Sequence, residues 1–522
     1  MNHSQERGVK PRCSAMAERK PEKNKIMTEF FNQQSDLFQI KDGRFIADER
    51  ISKKLYYIAE VHPEYPPEDS TGYSWDEAGM ADLFAECYKE EVAFCPEKRS
   101  WLVYQNGKWE VDTGALLTAG KIKEFVSIMS LYCGLIENEE LRRKYMQFVA
   151  KMGDRRFRDR ITKDAADVMM IEAEKLDAHP YLINCKNGTY DLEKDIFRPH
   201  NWKDYLTAQT GFEYTLQNVR CERWEQFIDE VTNGDREKAD YLQKAMGYSM
   251  LGESKEECMF ILHGKTTRNG KSTLLNSIEH MLGDYSTVAP VNLICGREGT
   301  KNTNEATPML ASLKGKRFVT MAESDSAGKL NESAIKQFTG GEEIKARELY
   351  QSAFTFKPQF TLWLSCNDLP AVWDKSLFAS DRIRVIEFNR HFSEEEQDKG
   401  LKSYFESKEA MPGIFAWLIE GYQKYRKEGL CMPPSIKAVV KKYERDNDII
   451  LQFLEDECIK DSNASIFAKD LHNQYRIWCR SNGYSCCNIK RFNALVEQHP
   501  DWYDEITIPG NRKTFKGMSL KS

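Results

Sequence analysis

The segment from Gly264 to Thr273 constrains this chain more than any other. It reads Gly-Lys-Thr-Thr-Arg-Asn-Gly-Lys-Ser-Thr and follows the apolar run 259–262 directly. An apolar run, a glycine-rich turn and then Leu274 and Leu275 predict a strand, a loop and a helix. Backbone N–H groups of such a loop and of the helix start bind phosphate oxygens. The segment therefore predicts an α/β fold that binds a nucleoside triphosphate.

Side-chain chemistry assigns roles within this loop. Lys271 is predicted to reach the β- and γ-phosphates, and Ser272 to hold Mg²⁺. Five residues separate Gly264 from Gly270, one more than the usual G-x-x-x-x-G-K-[ST] spacing allows. The alternative interpretation is a chance Gly-Lys-Ser turn. The nucleotide-binding assignment therefore rests less on Gly264 than on the end of the loop, which comprises Asn269, Gly270, Lys271, Ser272 and Thr273.

Length and charge limit the remaining classes of function. A chain of 522 residues has room for about three domains. Its net charge of −6 gives no global basic surface, so nucleic acid would have to meet local patches or a central channel. The sequence has no apolar stretch long enough for a membrane span and no signal-peptide core, which predicts a cytoplasmic protein without a membrane partner. Its 14 cysteines lack a C-x-x-C pair, so they are expected to be reduced core residues.

Composition and pattern divide the chain into six segments. Residues 1–74 are polar and include a proline-rich stretch, so they are expected to be disordered or to act as a linker. An N-terminal α+β module with a hairpin at Asn106-Gly107 (75–215) is followed by a helical module (216–254). The nucleotide-binding core (255–400), a helical connector (401–445) and a helix-rich module (446–522) complete the chain.

Two further apolar runs end in residues suited to ATP hydrolysis. The run 317–322 is followed by Glu323, a carboxylate that can hold Mg²⁺ through water and polarise the attacking water. Asp325 could assist this role or could cap the next segment. The run 360–366 is followed by Asn367, whose amide can orient that water and contact the γ-phosphate. Glu323 and Asn367 are therefore the predicted catalytic partners of Lys271.

Arginines at the start of the next strand complete the set. Arg382 and Arg384 lie at the beginning of the apolar segment that ends at Phe388. An arginine delivered across a subunit boundary stabilises charge on the transferring phosphoryl group. Arg382 is the first candidate for this role and Arg384 is the alternative. Loop, acid, amide and arginine in this order describe a ring-forming ATPase in which a neighbouring subunit completes each site.

This order of motifs resembles superfamily 3 helicases, and more closely the helicase half of phage, plasmid and poxvirus primase–helicases. The resemblance covers about residues 85–520 and also rests on the segments 336–342, 346–350, 356–358 and 364–370. It implies an AAA+-like P-loop core, an N-terminal mainly helical module and a C-terminal winged-helix-like domain. It further implies a homo-hexamer of a phage or plasmid, acting in the bacterial cytoplasm, that uses ATP and Mg²⁺ to move along single-stranded DNA and unwind forked duplex.

The resemblance also assigns a DNA contact. The segment 342–356 would be a hairpin that projects into the channel of the ring, with Lys345 and Arg347 as the residues that contact phosphates. Cationic side chains on a hairpin can follow a DNA backbone without reading its sequence. Because Glu342 and Glu348 lie beside them, an ordinary charged hairpin is the alternative interpretation.

The chain departs from the family at several places. Its phosphate-binding loop is one residue longer than usual. Glu342 occupies a position where the family often has Asp, and Asp381 occupies one where arginine is common. Before residue 180 there is neither a zinc pattern nor the acidic cluster of a primase, so primer synthesis is not predicted and a separate primase is a possible partner. The leading hypothesis is an ATP-dependent replicative DNA helicase. The rival hypotheses are an origin-binding or loader ATPase that switches assembly without unwinding, and a combined primase–helicase.

Overall fold

A computed structural model describes residues 38–41, 44–47, 49–61, 73–215, 220–295, 307–322, 328–349, 353–372, 375–508, 510 and 512–521. By their contacts the residues divide into two units, Met1–Ala178 with His200–Thr207, and His179–Pro199 with Ala208–Ser522. The segment 182–192, which the sequence places in the module 75–215, thus packs within the second unit. Most of the region 1–74, predicted to be disordered or a linker, lies outside the described residues, but residues 49–61 form a helix that buries Ile51, Leu55 and Ile58, so the prediction is wrong for that stretch.

The first unit packs helices against a small antiparallel sheet. Strands β3, β4 and β5 form that sheet in this order, while β1 pairs with β2. Asn106 and Gly107 both have positive φ and join β4 to β5, as a two-residue hairpin turn requires. The elements are β1 (Phe38–Lys41), β2 (Arg44–Ala47), α1 (Glu49–Val61), α2 (Glu77–Tyr88), β3 (Val92–Cys95), β4 (Ser100–Gln105), β5 (Lys108–Val111), α3 (Leu116–Cys133), α4 (Glu139–Met152) and α5 (Arg155–Val168).

Polar caps and an aromatic core hold these helices in place. Asp76, Asn138 and Asp154 each accept a backbone N–H in the first turn of α2, α4 and α5. Such caps contribute about 1 kcal/mol each. Phe84 and Phe125 are fully buried beneath the helices and meet edge to face, with ring centroids 5.7 Å apart. The unit therefore has a hydrophobic core of its own.

The second unit is built on a parallel five-stranded sheet with the order β10-β11-β14-β9-β15. Four of its strands, β9, β11, β14 and β15, bury nearly all their residues, as expected for parallel strands covered on both faces, whereas the edge strand β10 is half-buried to exposed. The strands of this unit are β6 (Leu182–Cys185), β7 (Gly188–Asp191), β8 (Ile196–Arg198), β9 (Met259–His263), β10 (Ser286–Val288), β11 (Phe318–Ala322), β12 (Ile344–Ala346), β13 (Phe354–Phe356), β14 (Thr361–Cys366), β15 (Ile383–Glu387), β16 (Cys458–Phe467), β17 (Glu505–Thr507) and β18 (Thr514–Leu520). The predicted α/β fold is confirmed.

Helices flank this sheet and continue into the C-terminal part of the unit. Within the described ranges, none of the helices is both long and apolar enough to cross a membrane. They are α6 (Glu222–Thr232), α7 (Arg236–Tyr248), α8 (Lys271–Leu282), α9 (Pro308–Ala311), α10 (Glu332–Thr339), α11 (Ser376–Ala379), α12 (Leu401–Phe405), α13 (Met411–Glu428), α14 (Pro434–Asp446), α15 (Ile449–Glu457), α16 (Ala468–Ser481) and α17 (Ile489–Val496).

A buried arginine explains why residues 179–199 belong to the second unit. The Arg317 guanidinium, directly before β11, donates to the carbonyls of His179 at 3.1 Å, Leu182 at 2.8 Å and Met250 at 2.9 Å. Arg317 is only 3% exposed, so these carbonyls replace water around its charge. The β6 hairpin is thereby attached to the start of a central strand of the sheet.

The C-terminal part, from α15 to β18, has a core formed by Phe453, Trp478, Phe492 and Phe515. Its antiparallel sheet has the order β16-β18-β17. Ile506 pairs with Phe515, so β17 and β18 form an antiparallel hairpin.

Asp448 connects this C-terminal part to the preceding core. Its side chain caps α15 through the N–H of Leu451 and accepts from Lys375 at 2.6 Å. His499 Nε2 lies 3.1 Å from the same carboxylate. Burial opposes ionisation of Asp448, but the hydrogen bonds from His499 and Lys375 outweigh it and lower its pKa to about 2.

We expect Asp448→Asn to lower the free energy of unfolding by about 2 kcal/mol at pH 7, because it keeps the helix cap and removes the ion pairs. A carboxylate whose folded pKa is depressed stabilises above its unfolded pKa and loses that effect as pH falls toward the folded value. The difference in melting temperature should therefore shrink as pH falls from about 4 toward 2. Asp446→Asn, an exposed carboxylate two residues earlier, is the control. An equal effect of both substitutions would contradict the prediction.

Candidate functional site

Two neighbouring strand ends bring the predicted loop and the predicted amide together. β14 and β9 run parallel and pair Cys366 with His263, the last residue of each strand. Gly264 and Asn367 therefore leave the same edge of the sheet, where the Gly264 N–H donates to the Cys366 carbonyl at 3.3 Å. Ligand sites of open parallel sheets lie at this edge.

The glycines of the loop 264–270 are required by close approach. A Cβ on Gly264 would lie 2.4 Å from Asn269 Nδ2 and 2.6 Å from the carbonyl of Phe388. Gly270 has a φ of 86° and caps α8, and a Cβ there would lie 2.5 Å from Val231. Gly264, the position with irregular spacing, is thus as tightly enclosed as Gly270.

Lys271 is the cation at the centre of the site. It is the first residue of α8 and is 5% exposed. Its Nζ donates to the Gly264 carbonyl at 3.0 Å and to Asn367 Oδ1 at 3.0 Å. A buried ammonium beside the free N–H groups of a helix start is suited to an anion, which would form stronger charge-assisted bonds than these neutral oxygens do.

The hydroxyl residues of the loop follow on the first turn of α8. Ser272 is exposed and Thr273 is half-buried. β11, the neighbour of β14, ends at Ala322 on the same sheet edge. Glu323 and Asp325 lie outside the described residues. In the described part of the chain, no group of three or more His, Cys, Asp or Glu side chains is arranged to hold a metal ion.

His263, the last residue of β9, adds little positive charge. Burial lowers its pKa, while the nearby Glu387 opposes that shift from 3.9 Å. The imidazole is therefore mainly neutral at pH 7, and Lys271 is the buried cation beside the Gly264 carbonyl.

Arg382 lies at the opposite edge of the sheet. Its carbonyl accepts from Met259 N at 2.8 Å, at the start of β9, whereas the loop follows the end of that strand. Five strand residues at roughly 3.3 Å each separate the two edges by about 16 Å. The Arg382 guanidinium binds Thr339 Oγ1 at 2.7 Å and Glu257 Oε2 at 2.6 Å. Within one chain, Arg382 is thus remote from the loop.

Arg384, the alternative arginine, is part of the interior. It is 6% exposed, and its guanidinium donates to the Leu430 carbonyl at 2.8 Å and to Glu256 at 3.2 Å. Removing it would leave the carbonyl of the buried Leu430 and the half-buried Glu256 without this donor. The Arg382 side chain is 16% exposed and that of Arg384 is 8% exposed, so Arg382 is the more accessible of the two.

A cavity of about 380 Å³ opens beside the loop. Its walls come from α6, from the loop with the start of α8, and from the segment 392–402, which is attached by a hydrogen bond from Phe392 N to the Arg268 carbonyl at 2.9 Å. The volume is within the range of small-molecule sites. Apart from residues 268–273, the lining residues lie outside the sequence motifs and were not predicted. The cavity is lined by Arg223, Phe227, Glu230, Arg268, Asn269, Gly270, Lys271, Ser272, Thr273, Phe392, Glu396, Gln397, Asp398, Lys399, Leu401 and Lys402.

The segment 342–356 contains a hairpin, as predicted. β12 and β13 are antiparallel, and Lys345 pairs with Thr355. Lys345 is exposed, whereas Arg347 is half-buried and follows the strand. The Arg347 N–H donates to Thr307 Oγ1 at 3.0 Å, and its carbonyl accepts from Thr307 N at 2.8 Å. Residues 350–352 lie outside the described part.

Family models match three parts of the chain. The model described as "D5 N terminal like" matches residues 81–233, a family of unknown function (DUF5906) matches residues 262–382, and "Poxvirus D5 protein-like" matches residues 445–501. The second match contains Gly264, Lys271, Asn367 and Arg382. The three matches follow one another without overlap over most of both units.

Curated relatives of this chain are viral proteins. "Putative helicase L207/L206" of Acanthamoeba polyphaga mimivirus is 26% identical over 82% of this chain and 48% of its own length. "Putative helicase 022R" of Frog virus 3 is 25% identical over 56% of this chain and 30% of its own length. The chain thus spans about half or less of these relatives. Both viruses are named for eukaryotic hosts, so they lend no support to the predicted phage or plasmid origin.

Among solved structures, the apo NrS-1 C-terminal region superposes with a TM-score of 0.48 at 13% identity, covering 85% of this chain and 99% of that one.

Proposed function

We propose that this chain, which belongs to the primase–helicase family of superfamily 3 helicases, is an ATP-driven DNA helicase. One observation carries the proposal: the buried Lys271 ammonium, at a helix start, lies 3.0 Å from Asn367 Oδ1 at the next strand end. A cation for the phosphates and a polar side chain that orients the attacking water are two of the groups that act together in ATP hydrolysis.

ATP binding would replace the present partners of Lys271. Phosphate oxygens at the start of α8 would accept from Lys271 and from the loop N–H groups. Asn367 would then bind the attacking water or the γ-phosphate in place of Lys271. The cavity beside the loop has apolar and polar walls, among them Phe227, Phe392 and Lys402, and would hold the rest of the nucleotide.

The proposal includes Mg²⁺ with few protein ligands. Ser272 offers an exposed hydroxyl beside the phosphate position, and Glu323 is the proposed acid at the next strand end. Mg²⁺ in nucleotide sites is held by one or two protein groups, phosphate oxygens and water, and it neutralises charge on the transferring phosphate. This set of residues fits that pattern.

Arg382 is proposed to act on the site of a neighbouring subunit. Its distance of about 16 Å from its own loop argues against a role in cis. To reach a neighbour's γ-phosphate, its guanidinium would have to break its ion pair with Glu257. The Glu257 side chain is 53% exposed, so water can replace the guanidinium there. A hexameric ring, as the family resemblance implies, would supply one arginine to each site.

DNA is proposed to contact Lys345 on the β12–β13 hairpin, with Arg347 beside it. The C-terminal part is proposed to be a winged helix, because α15, β16, α16, α17, β17 and β18 follow one another in that fold's order. Lys490 and Arg491 on α17 are exposed and could contact a DNA backbone.

Lys345→Ala should weaken binding of single-stranded DNA and reduce the slope of log affinity against log salt by about 0.7, because one phosphate contact is lost. Fluorescence anisotropy at several salt concentrations measures both. Lys98→Ala, an exposed lysine on the β3–β4 turn of the first unit, is the control. If the two variants bind DNA alike, Lys345 is an ordinary surface residue.

The function itself is tested by ATP turnover with and without single-stranded DNA, together with strand displacement on a forked duplex. We expect DNA to stimulate turnover and the fork to be unwound only with hydrolysable ATP. Turnover that ignores DNA, with no displaced strand, would indicate the rival assembly switch. Absence of any turnover would refute the proposal.

A further inference from the structure

The segment that follows Asn367 is held at its far end by the last turn of α14 and the residue after it. After β14 the chain runs through Asn367 to Val372, whose N–H donates to Asn447 Oδ1 at 2.8 Å. The Tyr443 hydroxyl donates to the Pro370 carbonyl in the same segment. Val372 and Tyr443 are each 3% exposed, so these hydrogen bonds are shielded from water.

The same segment also holds the chain that leaves β11. Ala371 N donates to the Gly328 carbonyl at 3.0 Å, and Leu330 N donates to the Ala371 carbonyl at 2.9 Å. Gly328 is the first described residue after the stretch that contains Glu323. Residues 370–372 therefore link the chain after the proposed acid to the chain after the amide.

Asn447 is itself fixed by the end of α14. Its Nδ2 donates to the Tyr443 carbonyl at 2.9 Å, and its backbone N–H caps the helix. The next residue, Asp448, binds Lys375 of the preceding core and His499 of the C-terminal part. The turn between α14 and α15 is therefore attached to both. The Asn447 amide is thus presented to Val372 in one orientation.

We propose that Asn447 is a positioning residue for ATP hydrolysis: by holding Val372, it fixes the segment that carries Asn367 and aligns it with the segment after Glu323. The inference rests on the proposed function. Asn447 binds Val372, five residues after Asn367, and is not among the residues that line the cavity beside the loop, so it acts through the segment. Small displacements of catalytic groups reduce rates strongly, and a loose segment should lower turnover more than binding.

The test compares three variants of the full chain. Asn447→Leu removes the acceptor for Val372 N–H, whereas Asn447→Asp keeps an oxygen there. Asn482→Leu is the matched control. Asn482 Nδ2 also donates to the carbonyl four residues earlier, that of Trp478 at 2.9 Å, but Asn482 lies in the C-terminal part and does not hold the segment after Asn367. For each variant, ATP turnover is divided by the number of sites that bind a non-hydrolysable ATP analogue, which removes unfolded protein from the comparison.

We expect Asn447→Leu to lower kcat per binding site by about tenfold with KM changed less than about threefold, and Asn447→Asp to recover most of kcat. Asn482→Leu should match the wild type. Equal kcat per site in Asn447→Leu and the control would overturn the inference, as would equal losses in the Asp and Leu variants. A wild-type chain without ATP turnover would instead refute the proposed function.

Discussion

Lys271→Ala should abolish ATP turnover, with a loss of at least about a hundredfold in kcat/KM. The substitution removes the buried ammonium that lies 3.0 Å from both the Gly264 carbonyl and Asn367 Oδ1. Without it, the γ-phosphate would lose its direct protein cation, and Asn367 would lose the contact that fixes its amide. Phosphate release assays at saturating ATP, with analogue binding measured in parallel, check both effects.

The control for Lys271→Ala is Lys265→Ala. Lys265 belongs to the same loop and is exposed, so its loss changes the local charge equally without touching the buried contacts. We expect that variant to keep turnover within a few-fold of the wild type. If Lys271→Ala hydrolyses ATP at the wild-type rate, the nucleotide site has been placed on the wrong loop.

Arg382→Ala should bind ATP nearly normally and lose hydrolysis by about a thousandfold, as expected when an arginine contributes only to the transition state. Because Arg382 lies about 16 Å from its own loop, we expect the missing guanidinium to act on a neighbour's site. Mixing Arg382→Ala with Lys271→Ala subunits should then restore part of the activity. In such a mixture, some sites combine an intact Lys271 from one subunit with an intact Arg382 from the other.

A structural role for Arg382 predicts a different outcome. Arg382 binds Glu257 and Thr339, so its loss could act by disturbing the start of β15. Glu257→Ala removes the same ion pair and should leave hydrolysis largely intact if Arg382 acts in trans. Loss of hydrolysis in Glu257→Ala, or mixed subunits that stay inactive, would assign Arg382 to folding.

Strands and site were predictable where one local signal determines them. The apolar runs identify β9, β11, β14 and β15, because parallel strands buried on both faces have few polar positions. The loop and the strand-end position of Asn367 follow from the same runs, and the bond between Lys271 and Asn367 realises the expected proximity. The role of Glu323 stays a prediction, since that residue lies outside the described part.

Features that depend on distant partners were not predictable in this way. The choice between Arg382 and Arg384 depends on which guanidinium meets the Leu430 carbonyl, a contact made over 46 positions. Residues 182–192 join the second unit through Arg317, which binds backbone carbonyls. Every residue has a backbone carbonyl, so the sequence does not indicate which ones Arg317 binds. Phe392 and Leu401 line the cavity from a segment without a motif.

The position of β9 within the sheet has a consequence for the order in which the chain can fold. β9 carries the nucleotide loop, but both its neighbours, β14 and β15, are synthesised roughly a hundred residues later. A nascent chain that has passed residue 273 has the complete loop sequence and neither flanking strand. If the loop binds a nucleotide as proposed, the nucleotide can stabilise this unit only after translation has reached Glu387, and until then the apolar β9 lacks both of its partner strands.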